Sequence, residues 1–188
     1  MVDQKYFFTQ FRYDALQRAK EKQKLMLDSE KTKKTSLNLY ERPYLGTVGA
    51  IALDKNGNLA AATSTGGMTN KMTGRIGDSP IIGSGTYADN DSVAVSCTGT
   101  GDIYMRVNAA HEVSALYKYK TSDVQKAAEE AVKEVAALGG SGGIISIDKL
   151  GKTGFAWTKD KLGMYHGEAR VGGKPGGKPV VYWPLGEK

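Results

Sequence analysis

The chain has few of the residues that most often carry chemistry. It has one cysteine, Cys97, so no intrachain disulfide can form, and a reduced, cytoplasmic setting is the simplest expectation. Cys97 lies in "VAVSCTG", where a buried structural thiol is expected. There are two histidines, His111 in a helix-like stretch and His166 in a stretch that reads as loop. Neither has ligand-spaced neighbours, so the usual zinc patterns are excluded. No nucleophile-elbow motif is present to recruit either histidine into a Ser-His-Asp triad. No apolar run reaches the length of a membrane span, and "MVDQKYFFTQFRYDALQRAK" lacks the apolar core of a secretory leader. No membrane partner is expected.

Acidic residues are in the minority. The 26 lysines and arginines exceed the 20 acids and leave a net charge of +6. A basic excess invites a nucleic-acid reading, but much of it is local, in Lys20, Lys22, Lys24, Lys31, Lys33 and Lys34. No aromatic residue is interleaved with these lysines to stack on a base. A solvated linker is the expectation, and no nucleic-acid partner. Glycine, by contrast, is abundant at 24 of 188 residues, in short runs that mark turns and sites. The length suits one domain with a real core.

Hydrophobic spacing predicts a helix over about Thr9–Lys24, then a polar linker in "LDSEKTKKTSLNLYERPY". "TVGAIALD" and "LAAATST" read as strands joined at "KNGN", a hairpin turn in which Asn-Gly accepts positive φ. The stretch from Met68 to Ser92 is rich in breakers and reads as loop. "VAVSCTG" is a third strand. One helix follows over 102–120, with Ile103, Val107, Ala110, Ser114 and Tyr117 on one face. A second covers 121–138, with Ser122 and Gln125 as a capping box and Val124, Ala128, Ala131 and Val135 as its apolar face. "GGSGG" stops it, "IISIDKLGKTGFAWT" is a last hairpin turning at "KLGK", and "GGKPGGKPVVYWP" is too rich in Gly and Pro for regular structure. This order is not a βαβ alternation. It predicts an α+β fold, an antiparallel sheet covered on one face by two helices, whose other face needs a further layer.

Three fragments could carry chemistry. "TGTGD" joins a strand to a helix, where backbone N–H groups converge and the helix dipole favours negative charge, so it suits an oxyanion hole or a phosphate as well as a plain turn. "GRIGDSP" holds Arg75 and Asp78 three residues apart. One cation and one anion are what a zwitterion needs, although a local ion pair is the plainer reading. Thr47 follows Gly46 at the head of a strand. A threonine hydroxyl needs a base, and a chain-terminal threonine carries one in its own α-amine. Thr47 would gain that amine only by cleavage of Gly46–Thr47, and a glycine there tolerates strained backbone and close approach.

Together "GTVGAIALDKNGNLAAATSTGGMTNKMTGRIGDSPIIGSGTYADN" and "VAVSCTGTGD" closely resemble the plant-type L-asparaginase/isoaspartyl peptidase family of N-terminal-nucleophile hydrolases. The resemblance implies that residues 1–46 correspond to the end of an α-subunit with a basic linker, and residues 47–188 to the catalytic β-subunit. It implies self-cleavage at Gly46–Thr47, with Thr47 as nucleophile and Thr65 beside it. Arg75 would clamp the substrate α-carboxylate and Asp78 the α-ammonium. Thr98 and Gly99 would form the oxyanion hole, and Gly101 would position substrate through its backbone.

The substrates implied are L-asparagine and β-aspartyl peptides, with no metal and no organic cofactor. The fold implied is a four-layer αββα sandwich, to which this chain supplies one sheet and one helical layer. The family carries a further segment ahead of the point where this chain begins. The expectation is therefore a half that needs an α-type partner, in an (αβ)2 assembly. The alternatives are a glycosylasparaginase, a sister family with the same nucleophile, and an uncleaved, inactive half with a structural or binding role.

Overall fold

A computed structural model of the chain describes residues 3–32, 46–159, 166–168 and 180–182. These residues form two compact units, one drawn from Met1–Gly46 and Gly66–Arg75, the other from Thr47–Thr65 and Ile76–Lys188.

The first unit opens with a short 3-10 turn, Gln4–Phe7, whose start is closed by the Asp3 carboxylate accepting from Lys5 N at 2.8 Å. Helix α1 then runs over Gln10–Thr32. It is longer than its apolar spacing predicts, so the first residues assigned to the linker are helical. Lys, Glu, Gln, Leu and Met are good helix formers, and no Gly or Pro interrupts them before Thr32. The rest of the expected linker lies outside the described residues. In the same unit, Asn70 takes a left-handed backbone (φ 59°), and its Nδ2 donates to Gln23 Oε1 on α1 at 2.8 Å.

The second unit is layered. Strands β1 (Thr47–Leu53) and β2 (Leu59–Thr65) form a two-stranded antiparallel ribbon. Its turn closes with Asp54 N donating to Asn58 O, and the Asp54 carboxylate accepts from Asn56 N, Asn58 N and Asn58 Nδ2. Of the predicted Asn-Gly pair only Gly57 takes a positive φ, 86°. A separate four-stranded antiparallel sheet has the order β3-β4-β5-β6, from Thr86–Ala88, Val93–Gly99, Gly142–Asp148 and Thr153–Trp157. β3 falls in a stretch that reads as loop, because a three-residue strand is too short to show a period.

Helices cover one face of this sheet. α2 (Gly101–Val107), α3 (Ala109–Leu116), a π-helical turn (Tyr117–Thr121) and α4 (Val124–Ala137) follow β4. The single helix predicted over 102–120 is broken at Asn108, which adopts φ 56° and ψ 47°. Asparagine tolerates this region better than most residues. The N–H groups of Ala110 and His111, at the start of α3, donate to Ser84 O and Gly83 O at 3.2 and 2.7 Å. The Gly83–Ser84 loop thus satisfies donors that a helix start leaves open.

The N-cap of α4 is Asp123, which accepts from Lys126 N at 3.1 Å, and not the expected Ser122. Gln125 is engaged elsewhere. Its Nε2 donates to Phe155 O, and its Oε1 accepts from Phe155 N, both at 2.9 Å. The predicted apolar face of α4 is buried throughout, at Val124, Ala128, Ala131 and Val135. It joins Val93, Val95, Cys97, Tyr104, Val113 and Ile144 in the core. Burying a valine fully is worth ~1.5–3 kcal/mol, so this cluster dominates the unit's stability.

The β1-β2 ribbon lies over the opposite face of the sheet, with β2 against β3 and β4 and β1 against β4 and β5. This corrects the expectation of one sheet and one helical layer: the first hairpin belongs to a second β layer. Strand periodicity cannot say which strands share a sheet. The last two strands, β7 (His166–Glu168) and β8 (Val180–Tyr182), pair with each other. His166 is therefore in a strand and not a loop. Regular structure also occurs inside the Gly/Pro-rich tail, where "VVY" is its β-branched and aromatic part. No helix among the described residues is long and apolar enough to cross a membrane.

Candidate active site

Thr47 and Thr65 are in register at the open end of the ribbon, and Thr47 Oγ1 donates to Thr65 Oγ1 at 3.2 Å. The hairpin brings them together across 18 residues of sequence. Thr47 is half-buried and Thr65 exposed. On the ribbon, residues facing the sheet alternate with residues facing away. Thr47, Gly49, Ile51 and Leu53 of β1 and their partners Thr65, Thr63, Ala61 and Leu59 face the sheet. The outer face carries Val48, Ala50, Ala52, Ala60, Ala62 and Ser64, all exposed.

The sheet beneath contributes β4. Val93, Val95 and Cys97 point into the helical core, which puts Ala94, Ser96 and Thr98 on the ribbon side. Thr63 Oγ1 stands 2.6 Å from Ser96 Oγ and donates to Gly85 O at 3.0 Å. Gly49 faces the same spot. A Cβ added there would stand 2.2 Å from Ser96 Oγ and 2.8 Å from Ser96 Cβ. At the tip of the ribbon, Leu59 N donates to Asn90 Oδ1 at 2.7 Å. Sequence reading missed the Thr63–Ser96 pair. Strand alternation sets Ser96 on the face opposite Val93, Val95 and Cys97, so nothing local marks it as buried, and only the layering brings it to Thr63.

Thr98, Gly99 and Gly101 occupy the end of β4 and the start of α2, the strand–helix junction expected of "TGTGD". Thr98 and Gly99 are half-buried and paired with Gly143 and Gly142 on β5. Gly99 has φ 148°, and a Cβ there would meet Ser141 O at 2.1 Å and Tyr104 Cε2 at 2.7 Å. Only glycine fits this position. Thr100 N donates to Ser141 O at 2.8 Å, and Thr100 Oγ1 accepts from Ser141 N at 3.1 Å, so the junction is clamped to β5.

Asp78 is buried against this junction. A Cβ on Gly101 would stand 2.7 Å from Asp78 Oδ1, and one on Gly85 would stand 2.5 Å from Asp78 O. The loop after Asp78 is tied by Ile81 N donating to Asp78 O at 2.9 Å. The second unit therefore gathers Thr47 with Thr65, and Asp78 with Gly101 beside Thr98 and Gly99. Cys97 is buried as expected. Burial, and then the Asp78 charge, push its thiol well above the ordinary cysteine range, so it remains protonated.

Gly46 and Arg75 belong to the first unit. Arg75 is half-buried and closes a turn, its N–H donating to Met72 O at 3.1 Å. Gly46 does not take a positive φ, and a Cβ on it would meet Arg12 Nη2 at an ordinary 3.5 Å. The expected backbone strain is thus not expressed as a left-handed φ at this glycine. Among the described residues no group of three or more His, Cys, Asp and Glu is arranged to hold a metal ion. His111 is exposed and meets the Tyr87 ring edge-on at 5.3 Å between centroids.

Comparison with known proteins follows the same residues. The sequence model of a family described as Asparaginase matches residues 1–174. The isoaspartyl peptidase of Escherichia coli (strain K12) is 46% identical over 175 residues, which cover 93% of this chain and 52% of that protein. That of Salmonella typhimurium is 46% identical over 170 residues, covering 90% of this chain and 52% of its relative. The isoaspartyl peptidase/L-asparaginase of Bos taurus is 42% identical over 143 residues, covering 76% of this chain and 46% of the bovine protein. The chain spans about half the length of the relatives it matches.

Proposed function

We propose a function from one premise: the chain belongs to the asparaginase family. On that premise it is an amidohydrolase that cleaves itself between Gly46 and Thr47 and then hydrolyses L-asparagine and β-aspartyl peptides. The observation that carries this reading is the Thr47–Thr65 hydroxyl pair at 3.2 Å, directly after Gly46. Cleavage would give Thr47 an α-amine, whose unperturbed pKa near 8 suits a general base. The Thr47 hydroxyl attacks the substrate's side-chain carbonyl while the amine takes its proton. The tetrahedral oxyanion is held by Thr98 and Gly99. Collapse forms a β-aspartyl ester on Thr47 and passes the proton to the leaving ammonia or peptide amine. Water then attacks the ester, aspartate leaves, and the Thr47 hydroxyl regains its proton.

Arg75 would fork the substrate α-carboxylate, and Asp78 would accept from its α-ammonium. Gly101 contributes because its missing Cβ lets Asp78 approach. The buried setting of Asp78 supports this role, since a carboxylate away from water bonds a cation more strongly.

We also propose that the chain works with an α-type half in an (αβ)2 assembly that completes an αββα sandwich. The ribbon's apolar outer face supports this: Val48 is 71% exposed there and the neighbouring alanines are uncovered. Among the described residues β1 pairs only with β2. Trp157, on the ribbon side of β6, is 48% exposed. A strand added beside β1 would cover it.

Mass spectrometry of the purified protein tests the reading. A species beginning at Thr47 is expected, with release of leucine from β-Asp-Leu. Thr47→Ala should leave the 20.2 kDa chain intact and without hydrolysis. Residual self-cleavage in that variant removes Thr47 from the mechanism. Preference for a glycosylated asparagine over β-Asp-Leu would move the chain to the glycosylasparaginase reading.

A further inference from the structure

The ribbon that carries Thr47 and Thr65 must be held at a set height above the strand that carries Thr98 and Gly99. On a strand, the next side chain on the same face is two residues away. Counting inward from the Thr47–Thr65 pair, that neighbour is the Gly49–Thr63 pair. Counting back along β4 from Thr98, it is Ser96. These neighbours meet. Thr63 Oγ1 lies 2.6 Å from Ser96 Oγ and donates to Gly85 O at 3.0 Å. A hydroxyl has a single proton. If Thr63 spends its proton on Gly85 O, Ser96 must donate to Thr63. The chain therefore runs Ser96 O–H to Thr63 O–H to the Gly85 carbonyl. Ser96 is buried and Thr63 half-buried, so water does not compete freely for it.

Gly49 makes the close approach possible. Any side chain there would overlap Ser96. Stability alone would be served as well by a valine over an alanine, since replacing both hydroxyls with apolar groups of similar shape is close to neutral. A directional hydrogen bond does something else: it sets distance and lateral offset together.

We propose that Ser96 and Thr63, with Gly49 as the spacer opposite them, are positioning residues for the reaction. They set the height of the Thr47–Thr65 pair over Thr98 and Gly99 from one side-chain period away. The inference rests on the function proposed above. Misplacing a reacting group by about 1 Å costs on the order of a hundredfold in rate, so a small slip of the ribbon matters.

The test uses the chain co-expressed with the part of the Escherichia coli relative that the match leaves uncovered. Wild type is compared with Thr63→Val, Thr63→Ser, Ser96→Ala and the Thr63→Val/Ser96→Ala double variant. Self-cleavage is followed by mass spectrometry, β-Asp-Leu hydrolysis by steady-state kinetics, and folding by thermal unfolding.

Thr63→Val should slow self-cleavage and lower kcat on the order of ten- to a hundredfold, with KM within about twofold of wild type. Thr63→Ser, which keeps the hydroxyl, should restore both rates even if Thr63→Val folds poorly. Ser96→Ala should resemble Thr63→Val, and the double variant should be no slower than either single one, because the chain is already broken. A Thr63→Val protein that cleaves and turns over like wild type overturns the proposal. So does a Thr63→Ser protein as impaired as Thr63→Val, since the methyl and not the hydroxyl would then matter. A wild type that neither cleaves nor hydrolyses overturns the parent reading and this one with it. An active wild type with unaffected variants overturns this one alone.

Discussion

At Gly49 two residue-level effects oppose each other, and their sizes decide the outcome. A glycine inside a strand usually costs roughly 0.5–1 kcal/mol relative to alanine, so Gly49→Ala should stabilise. Its Cβ, however, would stand 2.8 Å from Ser96 Cβ, an atom that no rotamer change can remove. Overpacking of this kind costs about 1–3 kcal/mol, which exceeds the gain. Gly49→Ala is therefore expected to lower the unfolding midpoint, as a thermal melt can check. Adding Ser96→Gly should recover most of the loss, because it removes the atoms in the way.

At the scale of the element, β6 lies at one end of the sheet that the described strands form, where backbone groups must find partners outside that sheet. Gln125 closes the middle of this edge by bonding both the N–H and the C=O of Phe155, as a neighbouring strand would. The sequence shows Gln125 as a capping-box residue of α4, and local spacing alone gives no reason to prefer the strand. Gln125→Ala should cost about 1–3 kcal/mol, since it strands two partly buried backbone groups. The loss should appear in chemical denaturation. Gln125→Glu should be worse than a neutral swap, because a carboxylate accepts from Phe155 N but cannot donate to Phe155 O. The break at Asn108 is a similar case. Helical spacing continues through it, and only the Gly83–Ser84 carbonyls waiting at the start of α3 explain why the chain turns there.

At the scale of the whole molecule, the described carboxylates pull stability against pH in opposite directions. Burial raises the Glu112 pKa above 4.5, helped by the charges of Glu134 and Glu130 and opposed by His111 and Lys120. Hydrogen bonds from Asn58 lower that of Asp54, and Lys118 lowers that of Asp89. A raised carboxylate favours the folded state while protonated. That contribution is complete below about pH 4.5 and is lost as pH rises through the folded value. The lowered pair works in reverse, stabilising above about pH 4 and fading as pH falls through their folded values. Glu112→Gln should therefore raise the unfolding midpoint by about 1–2 °C at pH 7 and leave it unchanged at pH 4. A melt at each pH separates this from a packing effect, which would be equal at both.

Much of this protein was decided locally and could be read from the chain. The β1-β2 hairpin, the strand ending in "TGTGD", the buried face of α4 and the buried thiol of Cys97 all follow from period, turn chemistry and burial preference. Each of these signals spans only a few neighbouring residues. Resemblance of the whole motif set named Thr47, Thr65, Arg75, Asp78, Thr98, Gly99 and Gly101 as expected site residues, and within the second unit Thr47 meets Thr65 and Asp78 meets Gly101. What the chain alone leaves open is which faces meet. Period-2 alternation separates Ser96 from the apolar face of Val93, Val95 and Cys97, but it is blind to whether strands share a sheet or stack. Only the stacked layers bring Gly49, Thr63 and Ser96 into contact, bury Asp78 against Gly101 and turn Gln125 toward a strand edge. These are contacts between residues distant in sequence, and they exist because the helices and the ribbon pack on opposite faces of one sheet.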